Sequence, residues 1–161
     1  MYSAVDVAVA ILKTAQEKGF TLTQMQVQKL VYVAHGLSLA QRDLPLIKEH
    51  INAWQYGPVI PEIYARFKAY ASSEIKVEEL PEFKSNQDLD LETQRILNDV
   101  VDNFAKLSGG QLSELSHRTG SPWHNVWFDR KGQVVRGAVI PNELIKPHYQ
   151  HILQTGVVEC L

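Results

Sequence analysis

Cysteine is almost absent from this chain: Cys160 is the single one, which excludes an intramolecular disulfide and any cysteine-based metal cluster. No apolar run approaches the ~20 residues that span a bilayer, and Met1-Tyr2-Ser3-Ala4-Val5-Asp6 lacks the basic region of a signal peptide. A cytoplasmic protein with no membrane partner is therefore expected. Net charge is only −2, so no global field draws the chain toward nucleic acid or an anionic surface. The signatures of chemistry are missing too. There is no Gly-x-Ser-x-Gly elbow, P-loop or dinucleotide fingerprint, and Gly109-Gly110 alone is a weak phosphate signal. Of the six histidines, His35, His50, His117, His124, His148 and His151, none forms the i, i+4 pair with an intervening glutamate of a zinc hydrolase. His148 and His151 lack an obvious third ligand. No catalytic residue, cofactor or metal is assigned, and the reading is non-enzymatic.

What is present is enough for one domain. The 161 residues are 45% apolar and 21% charged, which supports a sizeable core. Charge is uneven along the chain. Nine acidic residues lie between Glu74 and Asp102, against Lys76, Lys84 and Arg95, a local balance of about −6. That segment reads as a solvated loop and helix face or as an acidic surface that steers a basic partner.

Helical periodicity dominates. Ser3 with Asp6 makes a capping box, followed by Val5, Ala8, Val9 and Leu12 at helix-face spacing, and Gly19 ends that helix. Thr23 with Gln26 opens a second helix through Val27, Leu30, Val31 and Ala34 to about Arg42. Val33, Leu37 and Ala40 give it a second apolar face, so it is central, and Gly36 costs about 1 kcal/mol in its middle unless something packs closely there. Ile51 to Tyr56 alternates as a short strand that Gly57-Pro58 stops. Pro61 then opens a helix through Ile63, Tyr64 and Phe67. Ser72 to Asp90 reads as a long surface loop. Helices follow at Leu91 to Leu107 and, after Gly109-Gly110, at Gln111 to Arg118. Trp123, His124, Val126, Trp127 and Phe128 form an aromatic knot. Gln133 to Ile140 reads as a strand able to pair with Ile51 to Tyr56. A last helix starts at Pro141, with Pro147 kinking or restarting it, and the tail after Gly156 is expected to be loose.

Trp54, Tyr56, Tyr64, Trp123 and Trp127 either close the core or anchor a protein interface, because such side chains bury large area while freezing few rotors. Arg118, Arg130, Lys131, Arg136 and Lys146 near Trp123, Trp127 and Phe128 are the raw material of a stacking surface. A small nucleic-acid-binding regulator is accordingly the alternative, and a metal enzyme using the helix histidines a more distant one.

Three ordered blocks carry a resemblance. Gln28-Lys29-Leu30-Val31-Tyr32-Val33-Ala34-His35-Gly36 is similar to the signature second helix of the SocA-like Panacea domain. Ile51-Asn52-Ala53-Trp54-Gln55-Tyr56-Gly57-Pro58-Val59-Ile60-Pro61 resembles that family's Ala-Trp-x-x-Gly-Pro-Val-x-Pro motif. Leu112-Ser113-Glu114-Leu115-Ser116-His117, followed by Ser121-Pro122-Trp123, resembles its Leu-Ser-x-x-Thr-His and Pro-Trp pairing, with Ser116 where threonine is common. The resemblance implies a prophage-associated antitoxin of a toxin-antitoxin system, one that neutralises a toxin encoded beside it by direct protein contact. Some family members carry an added DNA-binding domain, for which this chain has no room. The implied organisation is a mainly α, single-domain helical bundle with a minor antiparallel β element, residues 1–156, and a flexible tail, residues 157–161. The candidate motif or partner-binding residues are His35, Trp54, Tyr56, Gly57, Pro58, His117, Trp123 and Trp127. Scaffold roles are favoured for the motif positions, since antitoxins with unrelated toxins share packing rather than interface.

Overall fold

The computed structural model describes residues 1–84 and 88–161. Among these residues, seven helices build one core, with a small antiparallel hairpin at one side: α1 (Ala4–Glu17), α2 (Gln24–Arg42), β1 (Asn52–Trp54), β2 (Gly57–Val59), α3 (Pro61–Phe67), α4 (Leu91–Phe104), α5 (Gly109–His117), α6 (Pro122–His124) and α7 (Asn142–Thr155). The mainly α expectation holds. Among the described residues, no helix is long and apolar enough to cross a membrane.

Capping fixes the first two helices. The Ser3 side chain accepts from the Asp6 N–H, and Thr23 with Gln26 forms the reciprocal box that satisfies otherwise orphaned N–H groups. α2 is buried on nearly every side and packs against α1, α3, α4, α5, α7 and β2. It is the axis of the fold, as its two apolar faces imply. Gly36 is where α7 crosses: a Cβ there would sit 2.3 Å from the Tyr149 ring.

The hairpin differs from the sequence expectation. Gly57-Pro58 does not stop β1; it begins β2, with Ala53 opposite Pro58 and Trp54 opposite Gly57. The Ala53 N–H points away from β2, donating to the Ala138 carbonyl at 2.8 Å. Ala53 and Pro58 thus form a pair that exchanges no hydrogen bonds, and the N–H that proline lacks is not needed there. Gly57 supplies a φ of +111°. The expected strand from Gln133 to Ile140 reduces to a 3-10 turn at Gly132–Val134 and a single antiparallel bridge, Asn52 to Val139.

Other boundaries also shift. Gly109 and Gly110 lie inside the first turn of α5, because Ser108 caps it. α7 begins at Asn142 and continues through Pro147 without restarting. Within Ser72 to Asp90, Ile75, Val77 and Leu80 turn inward and are buried, while residues 85–87 lie outside the described residues. The tail is docked rather than loose: Leu161 is fully buried, its N–H donates to the Leu115 carbonyl, and Arg118 donates to the Glu159 carbonyl.

The acidic stretch is largely drawn onto basic side chains elsewhere in the fold. Arg42 reaches Asp90 at 3.3 Å and Glu92 at 3.1 Å, and Lys18 reaches Asp102 at 2.7 Å. Arg66 grips both oxygens of Glu82, and that grip holds the Glu82 carboxyl down at about 2. Much of the local negative charge is therefore internal balance.

Candidate functional site

The hairpin tip is held by three successive carbonyls. The Trp123 indole Nε1–H donates to the Trp54 carbonyl at 2.7 Å, His117 Nε2 donates to that of Gln55 at 2.7 Å, and the Ser113 hydroxyl to that of Tyr56 at 2.9 Å. Hairpin tips normally leave such oxygens to water. Here α5 and α6 supply every donor, so the tip is fixed to the bundle. His117 and Trp123 also pack ring on ring, with centroids 4.0 Å apart. Ser121 joins the two helices, since its hydroxyl donates to the Ser116 carbonyl and accepts from the His124 N–H as the α6 cap.

α2 holds the base of the same hairpin. The Gln28 amide makes two bonds to the Ile60 backbone, accepting from its N–H at 2.9 Å and donating to its carbonyl at 3.1 Å. That side chain does the work of a strand partner and fixes the residue preceding α3. Lys29 is 1% exposed and donates to the Pro58 carbonyl at 3.1 Å. Burial pushes its ammonium down to about 7, because no low-dielectric surrounding favours the charged form.

Between α2 and the hairpin opens a cavity of about 390 Å³ whose walls include Met25, Lys29, Trp54, Tyr56, Val59 and Tyr64. Trp54 meets Tyr64 edge-on at 5.2 Å. Tyr56 is 62% exposed and Tyr64 40%. The aromatics have therefore divided: Trp123 is buried, Trp127 stacks on it at 5.4 Å as a half-buried cover, and Trp54, Tyr56 and Tyr64 form a rim.

The structure brings together Trp54, Tyr56, Gly57, Pro58, His117, Trp123 and Trp127. His35 stands apart from them. It is buried, its Nδ1 accepts from the Leu46 and Ile47 N–H groups, and its Nε2 donates to Asn142 Oδ1. It ties α2 to the following loop and to α7. Of the basic residues near the aromatic knot, Arg118 is engaged by Glu114 and the Glu159 carbonyl, and Lys146 by Asp43. Among the described residues, no group of three His, Cys, Asp or Glu is placed to hold a metal ion.

Sequence reasoning missed Gln28, Lys29 and Ser113. Lys29 carried a usable signal: it stands four residues before Val33 and eight before Leu37, on the second apolar face of α2. A lysine in line with an apolar stripe has either to snorkel or to be buried.

Comparison with known proteins gives the same residues a context. The family model described as "Antitoxin SocA-like, Panacea domain" matches residues 27–124, a span that holds Gln28, Lys29, the hairpin, α5 and Trp123. The chain is 30% identical over 155 residues to Antitoxin SocA of Caulobacter vibrioides, covering 89% of this chain and 80% of that protein. No solved structure matches.

Proposed function

Because the chain belongs to the SocA-like antitoxin family of Panacea domains, we propose that it neutralises a protein toxin encoded beside it, by direct contact in the cytoplasm and without catalytic turnover. The observation that carries this reading is the family match across residues 27–124. Its physical support is the clamped hairpin. Three side-chain donors fix the tip before any partner arrives, so presenting Trp54, Tyr56 and Tyr64 loses little conformational entropy on binding. Aromatic rims of this kind supply the anchors of protein interfaces.

Co-expression with the neighbouring gene product tests it. The expected result is restored growth together with co-purification as a stoichiometric complex. Neither growth rescue nor a complex would overturn the reading.

A further inference from the structure

The cavity between α2 and the hairpin has a polar floor that the fold leaves incompletely used. An ammonium carries three donors, and among the described residues Lys29 makes one hydrogen bond, to the Pro58 carbonyl. Among the described residues no carboxylate forms an ion pair with it. Beside it Gln24 also lines the cavity, and its amide Oε1 is buried without a hydrogen-bond partner. Unsatisfied buried amides and uncompensated buried cations are each costly to a fold. Both side chains line the one cavity, so their spare hydrogen-bonding capacity marks a place that a ligand can complete.

We propose that this cavity receives the carboxylate of an acidic side chain from the partner protein, held by Lys29 and Gln24 and framed by Trp54, Tyr56 and Tyr64. The identification of the owner as the partner rests on the antitoxin reading; the carboxylate chemistry does not. One negative charge matches the one cation of the floor. The Gln24 amide turns over to present its N–H₂, an exchange that costs no change in shape. The apolar walls, Met25 and Val59 among them, lower the local dielectric and strengthen the pair. A chain-terminal carboxylate is captured by nests of backbone N–H groups, whereas this floor is built from side chains and from Pro58, which has no N–H.

Proton linkage supports the same assignment. With its ammonium pushed down to about 7 by burial, Lys29 is part-neutral near neutral pH, and an incoming carboxylate draws a proton onto it. The other titratable groups at the cavity are the Tyr56 and Tyr64 phenols. From α5, His117 is directed to the Gln55 carbonyl. Carboxylate binding therefore strengthens as pH falls through neutrality.

The experiment is an NMR titration of the full chain with N-acetylglutamate α-amide, which has a side-chain carboxylate and no terminal one. N-acetylglutamine amide and N-acetylglycine serve as neutral and terminal-carboxylate controls. Saturable shifts of the Trp54 indole and the Lys29 Cε are expected with the glutamate probe, about tenfold weaker or more with either control. They are lost in Lys29→Met, reduced in Gln24→Leu, and weakened on raising the pH through neutrality. Lys29→Met removes a buried ammonium but leaves the Pro58 carbonyl without its donor, two opposing effects, so its circular dichroism is compared with the parent's before the titration is read. Should that variant fail to fold, Gln24→Leu and the pH series still decide. No binding, equal binding of the glutamine probe, or undiminished binding in Lys29→Met would overturn the proposal, and preference for N-acetylglycine would replace its ligand by a chain terminus. Because the probes do not include the neighbouring gene product, these outcomes are independent of the complex-formation test above.

Discussion

The ring of Tyr149 lies directly on Gly36, so close that a methyl group at residue 36 would overlap its Cδ2. The glycine lets α7 approach α2, and Tyr149 in turn meets Tyr32 edge-on at 5.8 Å. Gly36→Ala gains about 1 kcal/mol in helix propensity but drives a ring out of a fully packed crossing, at about 1–3 kcal/mol. The contact is aromatic carbon on all sides and cannot yield cheaply, so a net loss is expected. A lower urea midpoint for Gly36→Ala than for the parent checks it; an unchanged or higher one would show that α7 can shift.

Gly57 is constrained twice. Its φ of +111° suits glycine, and a Cβ would lie 2.6 Å from Ser116 Oγ and 3.0 Å from Lys29 Nζ. Gly57→Ala should therefore destabilise by about 1–3 kcal/mol from the backbone alone, with a further loss from displacing Ser116. Near-ultraviolet circular dichroism around Trp54 and Trp123 should change with it, since the β1–β2 turn is what both indoles report. A variant with native spectrum and stability would contradict the close packing.

Trp123 tests the clamp by a single hydrogen bond. Trp123→Phe keeps an aromatic side chain between His117 and Trp127 but leaves the Trp54 carbonyl without its 2.7 Å donor. The cost expected is about 1–3 kcal/mol for the unsatisfied acceptor, plus the smaller ring. Amide exchange should quicken selectively in residues 52–59, where the tip loses one of its three anchors. Uniform acceleration across the chain would assign Trp123 to general core packing instead.

How far this architecture can be read from the chain depends on the range of the interactions. α1 and α2 are legible because Ser3 and Thr23 cap them within three residues and the apolar spacing is local. The hairpin is not. Gly57 and Pro58 read as a break because both punctuate chains, and only the outward turn of the Ala53 N–H to Ala138 reveals that β2 tolerates a proline. The clamp is longer in range still. Ser113 and Tyr56 are separated by 57 positions and Trp123 and Trp54 by 69, so no local pattern announces that three carbonyls are capped in a row. Gln28 and Lys29 are polar letters in a helix, and polarity alone reads as exposure.

His35 makes the stability of the fold depend on pH. Its Nδ1 accepts the Leu46 N–H at 3.2 Å and lies 3.4 Å from the Ile47 nitrogen, while Nε2 donates to Asn142 at 2.9 Å. A second proton would set an N–H against two N–H donors. Burial lowers the His35 value below the ordinary 6.5, with the Asn142 bond opposing in part. His148 is lowered in the same direction, also chiefly by burial. Both groups take up protons in the unfolded chain at a higher pH than in the native one, so the unfolded state binds more protons through that window. Their contribution is complete above about pH 6.5 and declines as pH falls toward the native values, at up to about 1.4 kcal/mol per pH unit for each group. Urea midpoints measured from neutral pH down to about 5 should fall in the parent and fall less steeply in His35→Gln, which lacks the titrating ring. Equal slopes in the two proteins would mean that His35 takes up its proton over the same pH range in the native and unfolded chains, which contradicts a buried, neutral ring.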